Sequence, residues 1–338
     1  MQVGVVGATG YAGAEVLRLC ASHPDIDVVI ATADSNAGKA VREHVPALAA
    51  AYRTMHFAPT AAITSTDLDV VFLALPHGQS QLLVPDLVAR GVQVVDLGAD
   101  FRLKDAAEYF TWYGAVHQAP ELLALSVYGL VERHRKELFG ASLIAVPGCY
   151  PTASSLALGP FIDRGLIENT GIIVNALSGA SGAGRALNDR LHFSRMAQNA
   201  EAYSLVTHRH TPEMEQELGA ALLFTPHLIP VSRGMLVTAY GHSTAKNFST
   251  QNALDVLGET YVDDPFVIVC DEPPALKDAI GSNLCFVSAR VDPRTKWVIV
   301  MSSLDNLVKG AAGQAIQAWN VATGREETLG LPLTAVTP

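Results

Sequence analysis

Residues 3–15 read VGVVGATGYAGAE. A short β-branched run at 3–6 meets Gly7, Gly10 and Gly13, and helical spacing follows over 11–22. A strand, a glycine turn and a helix start in that order make the first βα unit of a dinucleotide-binding domain. Glycine lets the backbone approach a pyrophosphate, and the first N–H groups of the helix have no partner within it. An ordinary strand–helix turn also uses glycine. The G-x-x-G-x-x-G spacing, placed between a strand and a helix, favours the cofactor reading.

Working outward, the runs at 28–31, 70–75, 92–97 and 143–146 are apolar with little alternation. Strands of that kind are buried on both faces, as in a parallel sheet covered by helices. The predicted class is α/β, with an N-terminal doubly wound Rossmann domain. The texture changes after Thr152. A helix is expected over 152–164, and a strand at 171–179 runs into a glycine-rich loop. Runs at 228–231, 235–242, 266–269, 285–291 and 297–304 predict an α+β substrate domain with a mixed or antiparallel sheet. A helical segment over 307–320 is expected to return to the first domain. The predicted division is therefore 1–148 with 305–338 for cofactor binding, and 149–304 for catalysis.

The chain has 338 residues, of which 49% are hydrophobic, enough for two cores. Its net charge is −10 with no Lys/Arg block, which argues against nucleic acid and anionic membranes as partners. No apolar run is long enough to span a membrane. The first residues lack the basic region of a signal peptide. Cys20, Cys149, Cys270 and Cys285 form no CxxC pair, which points to reduced thiols, a cytoplasmic location and no metal site.

Cys149 lies in IAVPGCYPTAS (144–154), between an apolar run and a helix start. Pro151 suits the first helical turn, and the positive end of a helix favours a thiolate. Buried packing is the usual fate of cysteine and is the reading for the other three. A thiolate beside a nicotinamide can form a thioester that hydride reduces to an aldehyde. That chemistry also needs an acid/base and donors for an oxyanion.

Candidates for those roles are few. THRHTPEMEQEL (207–218) offers His208, His210 and Glu213, with Thr211 as the expected helix cap before Pro212. Taken alone, it also reads as two surface histidines. SGASGAGR (178–185) is a second glycine turn able to approach a phosphate. Arg102 in DLGADFRL (96–103) and Arg233 in LIPVSRGML (228–236) suit a bound anion, or a structural ion pair such as Asp100–Arg102. After the second strand, Asp34 would hold a ribose 2′-hydroxyl, whereas Ser35, Asn36 and Lys39 would hold a 2′-phosphate. Residue chemistry leaves the choice between NAD and NADP open.

Taken together, GATGYAGAE, SNAGK, LPHG (75–78), DLGADFRL, YGL (128–130), VPGCYPTAS, SGASGAGR, HRHTPE, HLIPVSRG and DNLVKGAAGQA (305–315) carry a resemblance over nearly the whole chain. The chain resembles the N-acetyl-gamma-glutamyl-phosphate reductase family, a relative of the aspartate-semialdehyde dehydrogenases. The resemblance implies NADPH as reductant, an acyl phosphate substrate and a homodimer or homotetramer. It implies Cys149 as nucleophile and a histidine of HRHTPE as acid/base. The preferred histidine is His208, oriented by Glu213, with His210 as its rival or as a substrate contact. Cofactor contacts are expected at Gly7, Thr9, Gly10, Tyr11, Ala12, Gly13, Ser35, Lys39, His77, Gly78, Ser181, Gly182 and Asn306. Arg102 and Arg233 are expected at substrate anions. The family pattern is expected to read DLSADFRL, and this chain departs from it at Gly98.

Overall fold

The computed structural model describes residues 1–336, which separate into two units. The first holds Met1–Pro147 and Ala311–Leu331. The second holds Gly148–Gly310 and the described residues from Pro332 onward.

Among the described residues, the first unit carries six strands: β1 (Gln2–Val6), β2 (Asp27–Thr32), β3 (Val70–Leu73), β4 (Gln93–Asp96), β5 (Val127–Tyr128) and β6 (Leu143–Ala145). They pair in parallel in the order β2-β1-β3-β4-β6-β5. Val3, Val5, Val6 and Val70 to Leu73 are wholly buried, which is why these strands do not alternate in sequence. The helices are α1 (Tyr11–Cys20), α2 (Val41–His44), α3 (Ser80–Ala89), α4 (Ala106–Tyr113) and α5 (Val131–Leu138). The chain order reverses between β1 and β3, the switch point at which doubly wound sheets bind ligands.

The second unit carries β7 (Ile172–Gly179), β8 (Glu201–Ala202), β9 (Leu222–Ile229), β10 (Met235–His242), β11 (Val267–Val269), β12 (Cys285–Val291) and β13 (Trp297–Leu304). Their order is β11-β12-β13-β10-β7-β9-β8. The β7–β9 and β11–β12 pairs are parallel and the others antiparallel, so the sheet is mixed. Its helices are α6 (Cys149–Asp163), α7 (Phe193–Met196), α8 (His210–Leu218) and α9 (Thr250–Thr260). α6 packs on β10, β12 and β13 and is buried from Tyr150 to Phe161. Its small residues let the sheet come close, and Ser302 Oγ donates to the Ala153 carbonyl at 2.7 Å.

Two expectations shift. β9 begins at Leu222, earlier than the apolar run at 228–231, because Pro226 and His227 interrupt the pattern without ending the strand. The return to the first unit falls at Ala311 rather than 305. Asp305 and Asn306 stay with the second unit: Asp305 accepts from the Gly281 amide at 2.7 Å and Asn306 from the Gly234 amide at 2.7 Å. The last helix, α10 (Gly313–Ala322), then packs on α5 and α1.

The departure at Gly98 has a local cause. A Cβ there would lie 2.8 Å from Oδ1 of Asp96 and 2.9 Å from Oγ of Ser80. Asp96 is wholly buried at the end of β4, where its Oδ1 accepts from Ser80 Oγ and from the Gly98 amide, each at 2.8 Å. Burial pushes its carboxyl up to about 7. An unfolded aspartate titrates near ~4, so between ~4 and ~7 the native state keeps a proton the unfolded chain has lost. Stability therefore falls as pH rises through that window and levels off above it. Asp96→Asn is expected to raise the urea midpoint relative to wild type more at pH 8 than at pH 5. Equal differences at the two pH values would refute this.

Candidate active site

Cys149 is the first residue of α6, half-exposed, behind the buried Pro147 and Gly148. Gly148 is the extended N-cap and brings no side-chain cap, and Pro151 occupies the first turn, where no amide is required. The Gly148 amide donates to Oε1 of Glu213 at 2.8 Å, and Glu213 is buried. A Cβ on Gly148 would lie 2.4 Å from Nε2 of His210. The His210 imidazole therefore rests against the residue that precedes the sulfur. Gly310 closes the other side, where a Cβ would lie 2.8 Å from the Cβ of Cys149.

His208, the expected acid/base, lies in different surroundings. His208 Nδ1 accepts from the His210 amide at 3.1 Å. That bond starts α8 at His210 and replaces the expected Thr211 cap. The His208 ring packs against Tyr150, Tyr203, Phe224 and His210, with centroids 4.9 to 5.5 Å apart. Burial, reinforced by Arg209, lowers its pKa to about 4, so near neutral pH it is an uncharged acceptor. Glu213 Oε1 serves the Gly148 amide.

Two tyrosines went unnoticed in the sequence reading. The Tyr150 hydroxyl lies 3.0 Å from that of Tyr203. Burial pushes both phenols up, Tyr203 to about 12, and the charge of Cys149 adds to each. Tyr150 adjoins the cysteine and could have been singled out. Tyr203, far away in sequence, gave no signal.

Elsewhere in the second unit, Asn306 accepts from the Gly234 amide and donates to Ser181 Oγ at 3.0 Å. Its amide braces the SGASGAGR loop, with Gly182 packed near Ser178. Arg233 is forked onto the buried Asp305, Nε at 2.8 Å and Nη2 at 3.0 Å.

In the first unit, the expected cofactor residues gather at the carboxyl edge of the sheet. Gly7, Thr9, Gly10, Tyr11, Ala12 and Gly13 form the turn from β1 into α1. Gly7 has φ +76°, and a Cβ there would lie 2.3 Å from the Ala74 carbonyl. Gly10 caps α1 with no side chain over the first-turn amides, so the turn fits a pyrophosphate. Beyond β2, Asp34 Oδ1 accepts from the Thr60 amide at 2.6 Å. Lys39 Nζ donates to Asn36, and Asn36 to Ser35 Oγ, along the surface. The acidic residue closes a loop while a lysine, an amide and a hydroxyl face outward, a set suited to a 2′-phosphate. After β3, His77 is exposed beside Tyr113, and the Gly78 amide donates to Asp100 at 2.6 Å. Asp100 also accepts from Tyr109, and Arg102 donates to the Leu97 carbonyl.

Comparison with known proteins agrees with this layout. Residues 2–141 match the NAD binding domain of semialdehyde dehydrogenase, and 149–306 match its dimerisation domain. N-acetyl-gamma-glutamyl-phosphate reductase of Symbiobacterium thermophilum is 45% identical, over 98% of this chain and 97% of its own. The protein of the same name from Brevibacillus brevis is 45% identical over the full length of both. The solved aspartate semialdehyde dehydrogenase II of Vibrio cholerae complexed with ASA superposes with a TM-score of 0.71 at 18% identity, over 95% of this chain and 97% of that one. Aspartate semialdehyde dehydrogenase with NADP from Candida albicans gives 0.66 at 16%, over 95% and 97%. The structures establish the shared fold, and the full-length sequence matches go further: the chain belongs to the N-acetyl-gamma-glutamyl-phosphate reductase family.

Proposed function

We propose that the chain reduces N-acetyl-L-glutamyl 5-phosphate to N-acetyl-L-glutamate 5-semialdehyde and phosphate, with NADPH, as a step of arginine biosynthesis. The observation that carries this is Cys149 at the start of α6, with Glu213 on the Gly148 amide and His210 on its α-carbon.

The Cys149 thiolate attacks the acyl carbon. A C–S bond forms, the C–O bond to phosphate breaks, and phosphate leaves with the electron pair. Bound NADPH supplies the hydride for the resulting thioester. His210 takes the thiol proton at the start and protonates the developing oxyanion of the hemithioacetal. It then removes that proton as the C–S bond breaks, releasing aldehyde and thiolate. His208, uncharged, holds the start of α8 and so places His210. In the first unit the turn from Gly7 to Gly13 holds the pyrophosphate, Ser35 and Lys39 the 2′-phosphate, and His77 and Gly78 the nicotinamide half. In the second unit Asn306 braces Ser181 in the SGASGAGR loop, and Arg233, oriented by Asp305, serves a substrate anion.

The assembly is a homo-oligomer. Its contact is the apolar outer face of β10 and β13, where Tyr240, Ile299 and Met301 are only half-buried in the single chain. No helix among the described residues is long and apolar enough to cross a membrane. We place the enzyme in the cytoplasm, where cysteines stay reduced.

Run in reverse, NADP, phosphate and N-acetylglutamate semialdehyde should give phosphate-dependent cofactor reduction that Cys149→Ser abolishes. Turnover of aspartate semialdehyde instead would reject the substrate. His210→Asn should lower kcat by roughly 100-fold or more, and His208→Asn by much less. The opposite ranking would return the acid/base role to His208. Lys39→Ala should raise KM for NADP about tenfold while leaving KM for NAD unchanged, as expected for a charge-assisted contact to the 2′-phosphate. A matching rise for both cofactors would remove Lys39 from that role.

A further inference from the structure

Arg190 lies outside every motif discussed above. It lies within a short turn, Asp189–Leu191, capped by Asn188, whose side chain accepts from the Arg190 amide at 3.0 Å. Its guanidinium sits 5.5 Å from the centroid of the Tyr203 ring. Nη2 is 3.2 Å from Oε1 of Glu201, an oxygen shared with Arg195 at 3.3 Å. Its Nε is buried and has no hydrogen-bond acceptor among the described residues. Only one edge of a five-donor fork is in use, and that edge meets a shared carboxylate oxygen.

The edge strand β8 explains this placement. It pairs with β9 through Glu201 and Ala202, and the Tyr203 amide continues the pairing to the Pro226 carbonyl at 3.1 Å. Residues 201 and 203 therefore point to one side, one holding the charge of Arg190 and the other its flat face. The strand is bracketed by left-handed non-glycine residues, Gln198 at φ +58°, Ser204 at +46° and Val206 at +55°. Such conformations persist where surrounding structure enforces them, often around functional segments. From Tyr203 the path to the nucleophile is short: its hydroxyl meets that of Tyr150, the neighbour of Cys149.

We propose that Arg190 binds the α-carboxylate of the substrate and sets selectivity for it. This rests on the activity proposed above. In that substrate two methylenes and the α-carbon separate the acyl carbon from the carboxylate, about 5 Å when extended. The Arg190 guanidinium lies 5.5 Å from the centre of the Tyr203 ring, whose hydroxyl meets that of Tyr150, the residue after Cys149. A carboxylate on Nε and the adjacent Nη would complete the fork, with Tyr203 as its floor. Arg233, already forked onto Asp305, then suits the phosphate end.

The test compares two aldehydes in the reverse reaction: N-acetylglutamate semialdehyde and 4-acetamidobutanal, the same chain with hydrogen in place of the carboxylate. Wild type should prefer the former. Arg190→Ala should lower kcat/KM for it about 10- to 100-fold through KM, leave 4-acetamidobutanal within about twofold, and so erase the preference. Arg190→Lys should recover part of it. A parallel fall for both aldehydes in the lysine variant would make Arg190 a structural support of Tyr203 and overturn the proposal, as would unchanged selectivity in a folded alanine variant. If the alanine variant does not fold, the lysine variant decides. A wild type that reduces cofactor with neither aldehyde rejects the parent activity, and Arg190's role with it. A wild type active on both without preference rejects only the role of Arg190.

Discussion

The Gly148 amide donates to the buried Oε1 of Glu213, and the active site is built on that bond. A buried carboxylate needs donors, and a backbone amide at a helix N-terminus is one that the helix itself cannot use. The single contact therefore meets two needs at once. It also joins the starts of α6 and α8, so the residue bearing the sulfur and the residue bearing the imidazole keep a constant spacing. The small side chains of α6 extend that order into the sheet, where Ser302 bonds to the Ala153 carbonyl.

Charge is arranged in graded fashion around this bond. His208 is held uncharged by its aromatic surroundings, while Tyr150 and Tyr203 resist ionisation because they are buried beside a thiol that becomes an anion. These three groups are thus unwilling to exchange protons near neutral pH. In the proposed reaction proton traffic is given to the His210 imidazole, which suits a step that must move the same proton in both directions.

Much of the frame was legible in the sequence. The parallel strands announced themselves because burial on both faces removes alternation, and the Pro-Gly-Cys turn did because few structures need that combination. What was missed had physical reasons. Pro226 and His227 hid the first half of β9, since neither residue favours a central strand. The start of α8 was misplaced because its N-cap is Arg209, which brings no side-chain cap, while the first helical amide is met by the His208 ring. His208 was preferred to His210 in the sequence because the contact of His210 with Gly148, which is distant in sequence, leaves no local signal. Arg190 and Tyr203 meet through a two-residue edge strand, too short to leave a periodic trace.

Cys149 stands between two places where an added side-chain carbon would force its neighbour to move: Gly148 against the His210 ring, and Gly310 against the cysteine's own Cβ. For the history and redesign of the enzyme this divides the molecule into frozen and free parts. Around the sulfur, even the smallest substitution displaces a neighbouring group, so stepwise change there disturbs the site. The segment from 184 to 209 exposes Leu187, Phe193, Leu205 and Val206 and leaves room for variation. A lineage of such reductases would therefore diversify at the end of the substrate far from the chemistry, keeping one reaction while exchanging the molecules that undergo it.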